Sequence, residues 1–293
     1  MKESILITTS VGVFIWDSVS PKAKQITSKY FFSLVKYKDN LLGVLGGRGK
    51  NSFVCILDSN LDILESYPTK TQSARQAKVK DDLFYITGNF GVTVFNLATH
   101  EETISNPKED HTPSSGYFDH LRRIKKVDTS FGQHCRYCKT SLLRGLDVCA
   151  YCQVNYIDSR HLNTVYFDGD KLFLICHNWG SSYILTYTSD GNLESKRFIG
   201  NKAHDIFRYQ DDFWVASSGE GALVSFSGKR IELDGFPRGV MVDGEKLFVG
   251  NSFVRYKESD LEKVGVWVIE GEEKKFFNLF DDPTIEVLSL LKI

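Results

Sequence analysis

The chain lacks most of the features that announce a function directly. No stretch approaches the ~18 consecutive apolar residues of a membrane-spanning helix, which excludes a helical membrane protein. The formal net charge is −1, which excludes a surface given over wholly to nucleic acid. No GxSxG elbow occurs, so an esterase-type Ser-His-Asp hydrolase is not supported. A P-loop and a dinucleotide fingerprint are also absent. The start, MKESILITTS, meets acidic and polar residues at once and has no signal-like apolar run. The expected location is therefore the cytoplasm.

Methionine and proline are scarce too, at 2 and 6 of 293 residues, whereas 13% are aromatic and 23 are glycine. Aromatic and β-branched enrichment with abundant glycine reads as pleated sheet rather than helix. The 42% hydrophobic content is too high for a disordered chain.

A repeated template then emerges: a short apolar strand, a polar turn of Asp, Gly or Lys, and a second apolar strand ending in Gly, Asn or Ser. It is clearest in VYFDGDKLFLICHN (165–178) and returns in IFRYQDDFWVASSG (206–219) and VMVDGEKLFVGNS (240–252). Earlier copies are LVKYKDNLLGVLGG (34–47) and AKVKDDLFYITGN (77–89). Each is hairpin chemistry between period-2 strands, and further strands such as VTVFNL (92–97) and VGVWVI (264–269) follow. Repeats of about 40 residues with about four strands each predict an all-β fold, a β-propeller. Six blades are expected, with five and seven as alternatives. The N-terminal strands ILITTS (5–10) and GVFIWD (12–17) would share one blade with the C-terminal strand IEVLSLLKI (285–293) and close the ring.

Three segments follow from this reading: propeller blades over 1–99, an inserted module over 100–160, and further blades over 161–293. The insert holds Cys135-Arg-Tyr-Cys138 and Cys149-Ala-Tyr-Cys152. Two CxxC knuckles supply four thiolates, the donor set of a closed structural zinc site with no open catalytic position. Disulfides and a rubredoxin-like iron are the alternatives. Cys55 and Cys176 fall inside predicted strands and are expected as buried thiols. Between residues 120 and 144 the insert is basic, with Arg122, Arg123, Lys125 and Lys126 in one run. A solvated positive face or docking to the propeller rim explains that run; nucleic-acid phosphates are the competing partner.

In a propeller the first strand of every blade lines the central channel, so equivalent positions converge. Alignment of the templates brings together Arg75, His161, Asn163, His204, Arg238 and Glu286. In the functional reading His161 and His204 bind a second, divalent metal or act as acid and base. Arg75 and Arg238 then neutralise a small anionic substrate, and Glu286 is a further ligand or base. His177, Asn178, Ser218, Asn251 and Ser252, with Asn89, would form an outer substrate-binding ring. In the structural reading these are hydrogen-bonded channel residues.

Three stretches carry a resemblance: HLNTVYFDGDKLFLI (161–175), HDIFRYQDDFWVASSGEGALV (204–224) and GFPRGVMVDGEKLFVGNSFVR (235–255). They resemble an uncharacterised bacterial β-propeller family with HxN, H-D/SSGxG and GFxRG stretches. The matching positions are His161, Asn163, His204, Ser218, Gly219, Gly221, Arg238, Gly239 and Ser252. The resemblance covers about the C-terminal 130 residues and implies the fold and the site's place, not a reaction; the Cys-rich insert departs from it. A looser similarity runs to propeller lyases and lactonases. The expected function is thus a propeller enzyme, a metal-assisted lyase or hydrolase of a small anion. The alternative is a non-catalytic scaffold for a protein or nucleic-acid partner.

The Cys quartet makes a direct prediction. Metal analysis should return one tightly held zinc per chain, lost when Cys135 and Cys149 are both changed to Ser. A metal-free protein whose four thiols react only after reduction would establish disulfides in its place.

Overall fold

The polar turns of the repeats close as two-residue hairpins. Lys38, Asp81, Gln210 and Asp211 adopt φ of 53, 55, 50 and 59°, and Gly169 and Gly244 55 and 60°. That left-handed region matches the twist of the flanking strands. This computed structural model describes residues 3–46, 51–72, 74–88, 91–105, 162–176, 181–252 and 263–293; at 51, 72 and 105 only the backbone is considered.

Each hairpin grows into a four-stranded antiparallel sheet, and six such sheets form a six-bladed propeller. In blade order the inner strands are Val287–Lys292, Phe31–Tyr37, Ala77–Lys80, Leu162–Asp168, Ala203–Tyr209 and Phe236–Asp243. The first blade is the composite expected from the two ends of the chain: Val287–Lys292 pairs antiparallel with Ser4–Thr9. Thr8 and Ser289 bond across that seam at 2.8 Å, 281 residues apart in sequence. Strand pairing in the third blade continues past residue 100, because Glu102–Ser105 is its outermost strand. Residues 106–161, between that strand and the fourth blade, lie outside the described residues.

The core is divided among the blade interfaces. Between the second and third blades, Phe32, Val35, Leu42 and Val44 pack with Ala77, Phe84, Ile86 and Phe95. Between the first and sixth, Trp16 sits 5.1 Å from Phe277 and 6.5 Å from Phe248. Phe213 meets Phe173 at 5.1 Å between the fourth and fifth. Radiating sheets diverge outward, and large aromatic rings fill that widening wedge. This use accounts for the aromatic content of the chain. Cys55 and Cys176 are buried thiols in no disulfide, as their strand positions predicted. Burial pushes the Cys55 thiol up to about 11.

At the hairpin end, successive blades are joined by polar contacts. Lys38 pairs with Asp82 at 3.2 Å and Arg208 with Asp168 at 3.5 Å, Lys80 Nζ donates to Gly169 O, and Lys292 pairs with Asp243. These groups are largely exposed, so each pair contributes about 0–1 kcal/mol. No helix among the described residues is long and apolar enough to cross a membrane.

Closure of the ring is testable by truncation. Removing 287–293 strips Val287, Leu288 and Leu290 from the core. Each such side chain is worth about 1.5–3 kcal/mol, against a total stability of about 5–15 kcal/mol. The truncated chain is expected to lose its cooperative thermal transition by far-ultraviolet circular dichroism. An unshifted transition would show that the ring does not need its closing strand.

Candidate functional site

The inner strands are irregular at one level, near their N-terminal ends and opposite the hairpin turns. The register slips by one residue at Phe31/Leu34, Leu162/Thr164, His204/Ile206, Pro237/Val240 and beside Val287/Ser289. A bulge re-aims side chains that regular alternation would send into a blade interface. Here the bulges gather polar groups at one mouth of the channel.

Asp205 is the centre of that gathering. It occupies the bulge of the fifth blade with φ of 42° and is 8% exposed. One carboxylate oxygen accepts from Gln76 Nε2 of the third blade, the other from the Gly239 N–H of the sixth at 2.7 Å. Its own N–H donates to Thr164 Oγ1 of the fourth blade at 3.0 Å, and that hydroxyl donates to Gln76 Oε1 at 3.1 Å. Gly239 has φ of +73°, and a Cβ there would lie 3.0 Å from Ser289 Cα, so a larger residue would be strained as well as crowded. Thr87 continues the network: its hydroxyl lies 3.0 Å from the Gln76 carbonyl and 3.2 Å from the Asn163 carbonyl, either of which can accept its one proton. Through its carboxylate and its backbone N–H, one aspartate therefore ties four blades together. Burial pushes it above the usual carboxylate range, opposed by the Gln76 and Gly239 N–H groups and by the cations Lys78 and Arg238.

Arg238 and Glu286 come together as the alignment predicts. The guanidinium is 3.9 Å from the Glu286 carboxylate, and both side chains are 16% exposed. Arg75 stands beside Gln76, half-buried, with its backbone N–H on Thr87 O. Asn163 is 1% exposed and donates its amide to Ala203 O at 2.9 Å, while its Oδ1 has no partner in the described residues.

The remaining predicted residues have other surroundings. His204 is 6% exposed, with its ring 5.4 Å from Phe236 and Nδ1 2.8 Å from Ser218 Oγ. The single hydroxyl proton of Ser218 goes to Pro237 O. Nδ1 is therefore the donor, and the chain His204–Ser218–Pro237 joins the fifth blade to the sixth. Ser252 likewise accepts from Val287 N at 2.9 Å and donates to Val287 O at 3.3 Å. Both hydroxyls expected in the substrate ring are thus committed to holding blades together. Asn251 is buried and donates to Lys263 O. His161, His177, Asn178, Asn89 and the quartet Cys135, Cys138, Cys149 and Cys152 lie outside the described residues, as does the basic run.

A divalent ion on the axis does not suit the described part of this site. No three ligand-type side chains converge among the described residues. Both Asp205 oxygens already accept N–H donors, and the nearest charges are cations.

Lys78 and Gln76 were not singled out by the sequence alignment, yet they face the same side of one inner strand. The Lys78 side chain is exposed to solvent, but burial lowers its pKa, with Asp205 opposing.

Asp205 yields a stability prediction. Asp205→Ala leaves the Gln76 amide and the Gly239 N–H without their acceptor, at about 1–3 kcal/mol for each, read by urea unfolding. Its raised folded pKa means that the native state binds the proton more tightly than the unfolded chain. The wild type should therefore gain stability relative to Asp205→Asn as pH falls from about 8 toward the ordinary carboxylate value of about 4. A pH-independent difference would contradict the buried charge.

No family model matches this chain, and no curated protein matches it. Solved structures do. A chain in the crystal structure of a nidogen/laminin complex matches with a TM-score of 0.61 at 9% identity, covering 98% of this chain and 97% of that one. A candidate 6-phosphogluconolactonase from Bacteroides uniformis matches with a TM-score of 0.52 at 12% identity, over 97% and 83%. A quinoprotein alcohol dehydrogenase-like protein from Bacteroides thetaiotaomicron matches with a TM-score of 0.53 at 8% identity, over 99% and 78%. At these identities the likeness establishes the β-propeller fold and nothing finer.

Proposed function

We propose that this propeller takes a small anion at the mouth of its channel and acts on it as a hydrolase or lyase. The supporting observation is the charge arrangement around Asp205. Lys78 and Arg238 both stand within its field, and Arg75 flanks Gln76 at the same mouth. Asp205 cannot serve them fully, because each of its oxygens already accepts an N–H from elsewhere. A bound carboxylate or phosphate would add acceptor oxygens to this cluster of cations, in bidentate fashion at Arg238. Glu286 is then the carboxylate beside Arg238, placed to move a proton. His204 belongs to the supporting structure, since its Nδ1 is spent on Ser218.

The zinc belongs to the same proposal but to another part of the chain. Four cysteines in two CxxC pairs are a complete thiolate donor set. Such a metal folds the segment that carries it and leaves the channel chemistry to other residues.

Calorimetric titration with inorganic phosphate, citrate and glucuronate tests the reading. At least one of the three is expected to bind. Arg238→Gln should weaken that binding about tenfold or more, since a hydrogen bond to a charged group is worth about 1.5–3 kcal/mol. No binding by any of the three, or affinity unchanged in the variant, would overturn the axial anion site.

A further inference from the structure

One level inward from the bulges, the inner strands present a ring of equivalent residues. Cross-strand register and the face turned to the next blade place Val35 opposite Leu42, Tyr166 opposite Phe173, Phe207 opposite Trp214, Met241 opposite Phe248 and Leu291 opposite Leu6. Val35, Phe207 and Met241 are buried, Tyr166 and Leu291 are half-buried, and none of the five carries a charge. In the third blade the same position, opposite Tyr85, is Lys78. Lys78 is exposed where its five counterparts are buried or half-buried. Among the described residues its ammonium makes no hydrogen bond or ion pair, and its one described interaction is the field of Asp205. The fold gains little from a charge here: the position forgoes apolar contact at the blade interface and gains no partner in return. The amine is left reachable, encircled by protein and next to an anion site.

We propose that Lys78 is a carbonyl-reactive amine, and that the ligand of the channel is a small carboxylate or phosphate bearing an aldehyde or ketone, such as a 2-oxo acid. This rests on the axial anion reading above. In the reaction the unprotonated Nζ adds through its lone pair to the carbonyl carbon, giving a carbinolamine. The carbon–oxygen bond then breaks, the oxygen leaves as water with both amine protons, and a C=N bond to Nζ remains. No oxidant or reductant is consumed. Burial assists by increasing the unprotonated share of the amine. The cations at the mouth hold the anionic end, so that carbonyl and amine meet as neighbours rather than by collision.

Reductive trapping tests this on the full-length protein. Glyoxylate is added with sodium cyanoborohydride, and the adducts are mapped by peptide mass spectrometry. One adduct per chain is expected at Lys78, forming about tenfold or more faster than at exposed lysines such as Lys24 and Lys229, because the held anion raises the local carbonyl concentration. Inorganic phosphate should slow labelling at Lys78 and leave Lys24 unaffected. Lys78→Arg keeps the charge and should lose that adduct while still unfolding cooperatively. The wild-type rate comparison decides the question even if the variant does not fold. Labelling of Lys78 no faster than of Lys24 overturns the proposal. If phosphate, citrate or glucuronate still binds by calorimetry in that case, the anion site stands and only the covalent step falls. If none binds, the anion reading falls on its own measurement.

Discussion

Around the channel, this molecule depends on a single buried carboxylate. Asp205 accepts from the third and sixth blades, donates through its backbone to the fourth and belongs to the fifth. A charge in such a place is costly unless hydrogen bonds satisfy it. Its partners satisfy one another as well: Thr164 completes the loop back to Gln76, and Thr87 ties that loop to the next blade. A network closed in this way can hold only one arrangement of the inner strands. The bulges make it geometrically available, because they turn residues toward the axis that strict alternation would bury between sheets.

Outside that ring the molecule is held by a different force. The blade interfaces are apolar and aromatic, they widen with radius, and large side chains fill them. Exposed ion pairs at the hairpin end add alignment more than energy. The result is a rigid apolar shell around a polar axis, with the last strand of the chain seated beside the first. The axis is therefore where charge can be placed without disturbing the core, and Lys78, Arg238 and Glu286 occupy it.

Much of this could be read from the sequence. The Asp/Gly/Lys turns marked every hairpin, the spacing of the templates indicated the blades, and the orphan strand at the C-terminus identified the composite blade. The convergence of Arg238 and Glu286 was also legible, since both sit at equivalent positions of neighbouring repeats, but their ion pair was not. His204 and Asp205 show where the reading failed. They are adjacent, and the alignment treated the histidine as the axial residue. The slip at His204/Ile206 instead sends the histidine toward Phe236 and the aspartate into the network. A one-residue change of register exchanges the faces of a strand, and a template alignment does not register it. One clue was present: a charged residue beside a histidine within an otherwise apolar inner strand. Lys78 left a similar clue, as a lysine in a column whose other members are Val, Tyr, Phe, Met and Leu.

The local code was enough for the strands, their turns, the number of repeats and the way the ring closes, because these follow from periodicity, turn chemistry and the hydrophobic pattern along neighbouring residues. The meeting of Gln76, Thr164, Asp205 and Gly239 was not in that code. It needs four blades brought round a common axis, bulges of one residue in their inner strands, and a shared carboxylate that no single repeat contains. Contacts of that kind are set by closure of the whole ring, and only closure shows which polar side chains hold the structure and which, like Lys78, stand outside that network.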